Sequence, residues 1–183
     1  GLVSSIGIDA ANILIPMDET QTNHLKAYGL AYLSLTKKDD ISKIYWLLNY
    51  RGGSFLIPHS EYIIKKSKLM GVSYEILDDI KTNEIELILQ DENTDKIELE
   101  KAPKIAVYAP TTNNPWDDAV TLALTFADIP FDKLWDDKIL NGDLSEYDWL
   151  HLHHEDFTGQ YDKFYRSFQN APWYLNRVAE YRK

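Results

Sequence analysis

Lys104-Ile105-Ala106-Val107-Tyr108 (KIAVY) is a short apolar run of strand length, and its reading decides the fold. Apolar residues on both faces mark a strand covered on each side, as in a parallel sheet, rather than one alternating between core and water. After it come a loop over 109–114, a helix over 115–129, a strand over 131–135, a short helix over 137–144 and a strand over 147–153. Tyr161, Phe164, Tyr165 and Phe168 then fall at i, i+3, i+4 and i+7 on one more helix. Strands and helices alternating through short loops predict part of a flavodoxin-like, doubly wound sheet.

Working outward, residues 91–103 (DENTDKIELEKAP) are charged, lack Gly and end in Pro103, so they read as a linker. Ahead of them, residues 12–90 predict strands over 13–15, 44–50, 54–57 and 72–77 and helices over 24–35, 61–70 and 80–89. Asp18 and Thr20 offer starts for the first helix, Gly29 weakens it, and Gly71 caps the second. The expected class is α/β, with two βαβ-type halves: an N-terminal domain at 12–90 and a C-terminal domain at 104–183.

Composition narrows the chemistry. The 183 residues carry a formal charge of −10, shared evenly between residues 1–103 and 104–183, which repels a phosphate backbone and argues against a nucleic-acid partner. The chain has no cysteine, which removes disulfides, thiolate metal sites and a thiol nucleophile. No stretch approaches the roughly 18 to 20 apolar residues of a membrane span. Residues 1–11 (GLVSSIGIDAA) read as the back end of a secretory signal peptide, best cleaved after Gly7, or as a disordered arm. The first reading implies an exported, periplasmic or envelope location. At the other end LNRVAEYRK begins a helical pattern without a cap or a following Pro, so the natural chain is expected to continue.

Chemistry concentrates in Tyr147-Asp148-Trp149-Leu150-His151-Leu152-His153-His154-Glu155-Asp156. A covered strand should be nearly all apolar, yet this one ends in histidines and carboxylates, at the end where open α/β sheets bind ligands. His153, His154, Glu155 and Asp156 are therefore the candidate catalytic residues, because imidazole beside carboxylate suits proton transfer. The competing reading has the histidines bonding backbone and the acids capping the next helix. The loop holding Asn113, Asn114, Asp117 and Asp118 lies beside that strand end if the strand order is 2-1-3, which makes these residues and His151 candidate ligand contacts. Capping by Asn114, with Pro115 opening the helix, explains the same loop without a ligand. The loop lacks glycine and is acidic, so it is no phosphate cradle. Asn49 to Ser54, with Arg51, Gly52 and Gly53, reads as a hairpin turn before a ligand loop. Among the aromatics, Trp116, Trp173 and Tyr174 remain plausible platforms.

The segments ANILIPMD, HLKAYGLAY, WLLNYRGGSFLIP, GVSYEI, KAPKIAVYAP, PWDDAVTLALTFADIP, EYDWLHLHHEDFTGQY and NAPWY resemble an exported bacterial family labelled asparagine synthetase B, whose members look like class I glutamine amidotransferase domains. The resemblance covers nearly the whole chain from Asn12 onward. It implies an amidotransferase-like sheet for residues 104–183, and in the family a Cys nucleophile would lie on a strand-to-helix elbow that this chain lacks. The expected function is that of the N-terminal portion of such a protein, with a polar ligand cleft at the strand ends, no nucleophile of its own and no cofactor. The expected partner is a small-molecule ligand, with a protein or a downstream segment completing the sheet. A non-catalytic envelope binding or assembly module is the rival reading, and a metal-dependent hydrolase built on the His-rich strand end is the third.

Overall fold

A computed structural model describes residues 11–37, 41, 43–91, 93–109, 118–152 and 160–182. The chain divides into two compact units, Gly1–His151 and Leu152–Lys183. Both sheets belong to the first, up to His151 in the last strand. One has five strands in the order β4-β1-β3-β2-β5, and the other has three in the order β7-β6-β8. The class is α/β, as the alternation of patterns predicts.

The N-terminal sheet grows from β1 (Asn12–Ile15), α1 (His24–Leu35), β2 (Ile44–Leu48), β3 (Ser54–Pro58), α2 (Glu61–Met70) and β4 (Glu75–Leu77). β3 pairs antiparallel with both β1 and β2, and β4 pairs antiparallel with β1. The βαβ alternation is thus present in split form: β3 inserts between the two strands that α1 connects, and β1 between the two that α2 connects. The reason is the tight connection after β2. Asn49, Arg51, Gly52 and Gly53 all take positive φ, and the chain reverses at once into β3. A Cβ on Gly52 would lie 2.3 Å from the Met17 carbonyl oxygen, so only glycine fits there. α1 and α2 cover one face, burying Ala27, Leu30, Ile63 and Ile64 against Ile13, Ile15, Phe55 and Ile57. α3 (Asp79–Ile88) supplies Ile85 to the opposite face, against Leu14, Leu47, Leu56 and Leu77. Alternate residues of β1 and β3 thereby enter two separate cores.

Two local readings differ from the sequence expectation. The first helix is capped by Asn23, whose side chain accepts from Lys26 N, while Asp18 and Thr20 form a turn of their own. Within the segment read as a linker, Asp95–Leu99 forms β5, paired along its length with β2. From Lys96 onward charged side chains alternate with Ile97 and Leu99, of which Leu99 packs against the core, an edge-strand pattern that charge density disguises as a linker.

The C-terminal sheet is built from β6 (Ile105–Tyr108), α4 (Ala119–Phe126), β7 (Asp132–Leu134), α5 (Asp136–Leu140), a 3₁₀ turn at Asp143–Glu146 and β8 (Trp149–Leu152). β6 is central and parallel to β7, with Ile105, Ala106 and Val107 buried as a covered strand requires. α4 starts at Ala119, capped by Asp118, whose carboxylate accepts from Val120 N and Thr121 N. Asn114 and Pro115, expected to open this helix, lie outside the described residues.

α1 and α4 hold the two sheets together. At Gly29 a Cβ would sit 1.7 Å from the Ala127 carbonyl oxygen, so the glycine that weakens α1 as an isolated helix is what lets the two helices touch. Lys26 Nζ donates to Asp128 Oδ2 at 2.6 Å and lies over the Phe126 ring, and Tyr32 Oη donates to the Pro103 carbonyl. The second unit contains α6 (Gln160–Ser167) and α7 (Pro172–Tyr181). There Tyr165 packs on Tyr174, and Phe168 on Trp173. Among the described residues no helix is long and apolar enough to cross a membrane.

Candidate functional site

In the order β7-β6-β8 the chain leaves β6 through α4 to β7 on one side and returns to β8 on the other. This is the 2-1-3 arrangement, and it creates a topological switch point at the C-terminal ends of β6 and β8. In open α/β sheets the crevice at such a point is where ligands bind, because the loops leaving the two strands diverge.

Tyr108 ends β6 at this edge. Its hydroxyl donates to Asp136 Oδ1 at 2.5 Å, and its ring stacks on Trp135 with centroids 5.0 Å apart and planes 18° from parallel. Trp135 and Asp136 stand where β7 passes into α5, and Ala109 N donates to the Leu134 carbonyl to keep β6 and β7 in register there. Asp118 faces the first turn of α4, where two amide donors and the helix dipole favour its negative charge. His151 is half-buried on β8. This end of the sheet thus offers a stacked aromatic pair, two carboxylates and an imidazole. Such groups suit a neutral or cationic polar ligand better than a phosphate.

Of the residues singled out from sequence, Asp118 caps α4, the helix that follows β6 in the chain, and His151 stands on β8, the strand beside β6 in the sheet. Asn113, Asn114, Asp117, His153, His154, Glu155 and Asp156, with Trp116, lie outside the described residues. Tyr108, Trp135 and Asp136 escaped the sequence reading. The available signal was an aromatic at the last position of the buried strand and a second at the last position of the next, each at the end where ligands are expected.

Two other polar clusters have structural explanations. Arg51 Nε donates to Asp18 Oδ2 at 2.7 Å, one terminal nitrogen to Glu75 Oε1 at 2.7 Å and the other to Thr20 Oγ1 at 3.0 Å. These bonds hold the Asp18 carboxyl down to about 2 and push the guanidinium up. They pin the turn between β2 and β3 to the chain after β1 and spend the guanidinium's donors on the protein itself.

At the opposite, N-terminal end of the parallel sheet, Asp148 accepts from Lys104 N and pairs with Lys101, tying the start of β8 to the start of β6. Tyr147 Oη donates to Asp132 Oδ2 at 2.9 Å, and desolvation with that carboxylate pushes the phenol up to about 12. A cavity of about 110 Å³ lies here, lined by Tyr32, Lys104, Ile105, Pro130, Phe131 and Asp132. It sits where α1 meets the strand starts, at the end of the parallel sheet opposite to the one where open α/β sheets bind ligands. Among the described residues no group of three or more His, Asp or Glu is arranged to hold a metal ion. Comparison of the chain with protein-family models, with characterised proteins and with solved structures gives no match.

Proposed function

We propose that this chain is a binding domain of the class I glutamine amidotransferase type, exported as in the asparagine synthetase B-labelled family it resembles, taking a small polar ligand at the C-terminal ends of β6 and β8. The observation that carries the reading is the strand order β7-β6-β8, which puts a switch point at those ends. The surrounding chemistry supports it: Asp118, Asp136, His151 and the Tyr108–Trp135 stack suit an amino-acid amide or another neutral or cationic metabolite. The loops leaving β6 and β8 carry Asn113, Asn114, Asp117, His153, His154, Glu155 and Asp156, the side chains assigned to the same cleft from sequence. Because the chain holds no cysteine, its role in this reading is to bind rather than to attack an amide through a thiol.

A melting-shift panel of amino acids, their amides, other metabolites and short glycans tests the reading. At least one compound raises the melting temperature of the wild-type chain, and His153→Ala and Asp156→Ala lose that shift while remaining folded. A panel without any shift, or a shift that survives in both variants, overturns it. Glutamine incubated with the chain releases no ammonia above a His154→Ala control.

A further inference from the structure

α2 departs from the rest of the chain in its charge. The 183 residues carry −10, yet Glu61–Met70 holds three lysines, Lys65, Lys66 and Lys68, and one carboxylate, Glu61. Glu61 stands in the first turn, where the helix dipole favours a negative charge, 3.6 Å from His59 Nε2. Lys26, Lys43, Lys96, Lys101 and Lys104 each pair with a carboxylate. Among the described residues Lys65, Lys66 and Lys68 pair with none. Like charges at neighbouring positions of a helix work against the helix that carries them.

The arrangement of these lysines follows from how α2 packs. Ile63, Ile64 and Ser67 turn into the core, which leaves Tyr62, Lys65 and Leu69, at i, i+3 and i+7, along the outward crest. Lys66 and Lys68 fall to either side of that crest. Leu69 is 71% exposed and Tyr62 39%. The Lys66 ammonium lies 5.7 Å from the centroid of the Tyr62 ring, and the Lys37 ammonium, from the end of α1, lies 5.7 Å from it too. After Lys37 the chain runs Lys38-Asp39-Asp40, outside the described residues, so α2 alone carries the charge argument. The whole helix belongs to the first compact unit.

We propose that this ridge rests on an anionic lipid surface, with Leu69 and the Tyr62 ring at the headgroup boundary and Lys65, Lys66 and Lys68 on lipid phosphates. Charge complementarity selects an anionic partner, and the shape selects a bilayer. A helix lying on a sheet presents a convex back, on which a protein partner buries little area, and lysine is depleted in protein interfaces. A bilayer meets all three ammoniums at once, accepts their aliphatic stems and gives Leu69 an apolar boundary. The net charge of the chain repels such a surface, but screening over about 8 Å at physiological ionic strength limits the repulsion to groups near the contact, and there the lysines prevail. The contact is weak and reversible, because three lysines and one leucine fall far short of an inserted helix.

Co-sedimentation with vesicles tests the proposal. The wild-type chain associates with phosphatidylcholine vesicles containing one third phosphatidylglycerol, ignores phosphatidylcholine alone, and is released by added salt. Each lysine near an anionic surface is worth about fivefold, so changing Lys65→Gln, Lys66→Gln and Lys68→Gln together weakens partitioning by about a hundredfold. Leu69→Gln, a good helix former at an exposed position, weakens it by about fivefold or more. Lys81→Gln, on α3 across the sheet, leaves it unchanged. The variants melt no lower than the wild type, which separates lost binding from lost folding. A chain that ignores the anionic vesicles overturns the proposal, and so does association that survives in the triple variant. Association that falls with the lysines but is untouched by Leu69→Gln overturns it as well, since that pattern belongs to an acidic partner held by charge alone.

Discussion

Asp18 is held by the Arg51 guanidinium and by Thr20, and its carboxyl lies at about 2 against the ordinary 3.8. A depressed carboxylate contributes stability that is complete above its unfolded value and disappears as pH falls through its folded one. The contribution of the Asp18–Arg51 pair is therefore present at neutral pH and lost between about pH 4 and pH 2. Melting curves of the wild type and Asp18→Asn should differ at pH 7 and converge at the bottom of that window. A gap that persists at pH 2 would show that the turn is held by other bonds. Gly29 gives a second test at this scale. Alanine is the better helix former by about 1 kcal/mol, yet its Cβ would meet the Ala127 backbone. Separating α1 from α4 costs more than the helix gains, and Gly29→Ala should lose about 2 kcal/mol in denaturant unfolding. A gain in stability would mean that the seam between the sheets is loose.

Among the elements, those legible in the sequence are the ones whose pattern has a single physical reading. α2 announces itself by its amphipathic run and by Gly71, which adopts the left-handed conformation its cap requires. β6 is apolar on both faces because it is covered on both. β5 was lost because a charged edge strand has the composition of a linker until its partner is known. The split of the N-terminal βαβ units was also hidden, since pairing order depends on where a hairpin folds back and not on the order of elements along the chain. Asp118 shows the same limit at the site: its cap explains its place, and no sequence pattern separates a cap from a cap that also touches a ligand. Substitution separates them. Asp118→Ala should cost about 1 kcal/mol of stability through the lost cap. Asp118→Asn keeps a capping side chain but not the charge, so loss of a ligand-induced melting shift in this variant, at unchanged stability, identifies a role beyond capping.

At the level of the whole molecule, two sheets of different construction meet along α1 and α4. The antiparallel sheet is covered on both faces by its own helices, and its polar clusters are occupied in holding turns. The parallel sheet is the less enclosed of the two, with an exposed β8 and a switch point at its C-terminal end. In the proposed reading the ligand belongs to the parallel sheet, and the 2-1-3 strand order selects the end. The alternative is the small cavity at the strand starts, around Lys104 and Phe131. Amide chemical-shift mapping decides between the two ends, using a compound that raises the melting temperature. Binding as proposed moves the amide signals of Tyr108, Ala109, Asp136 and His151 and leaves those of Lys104, Ile105 and Asp132 in place. Perturbations centred on Lys104 to Asp132, with Tyr108 and His151 unmoved, would contradict it.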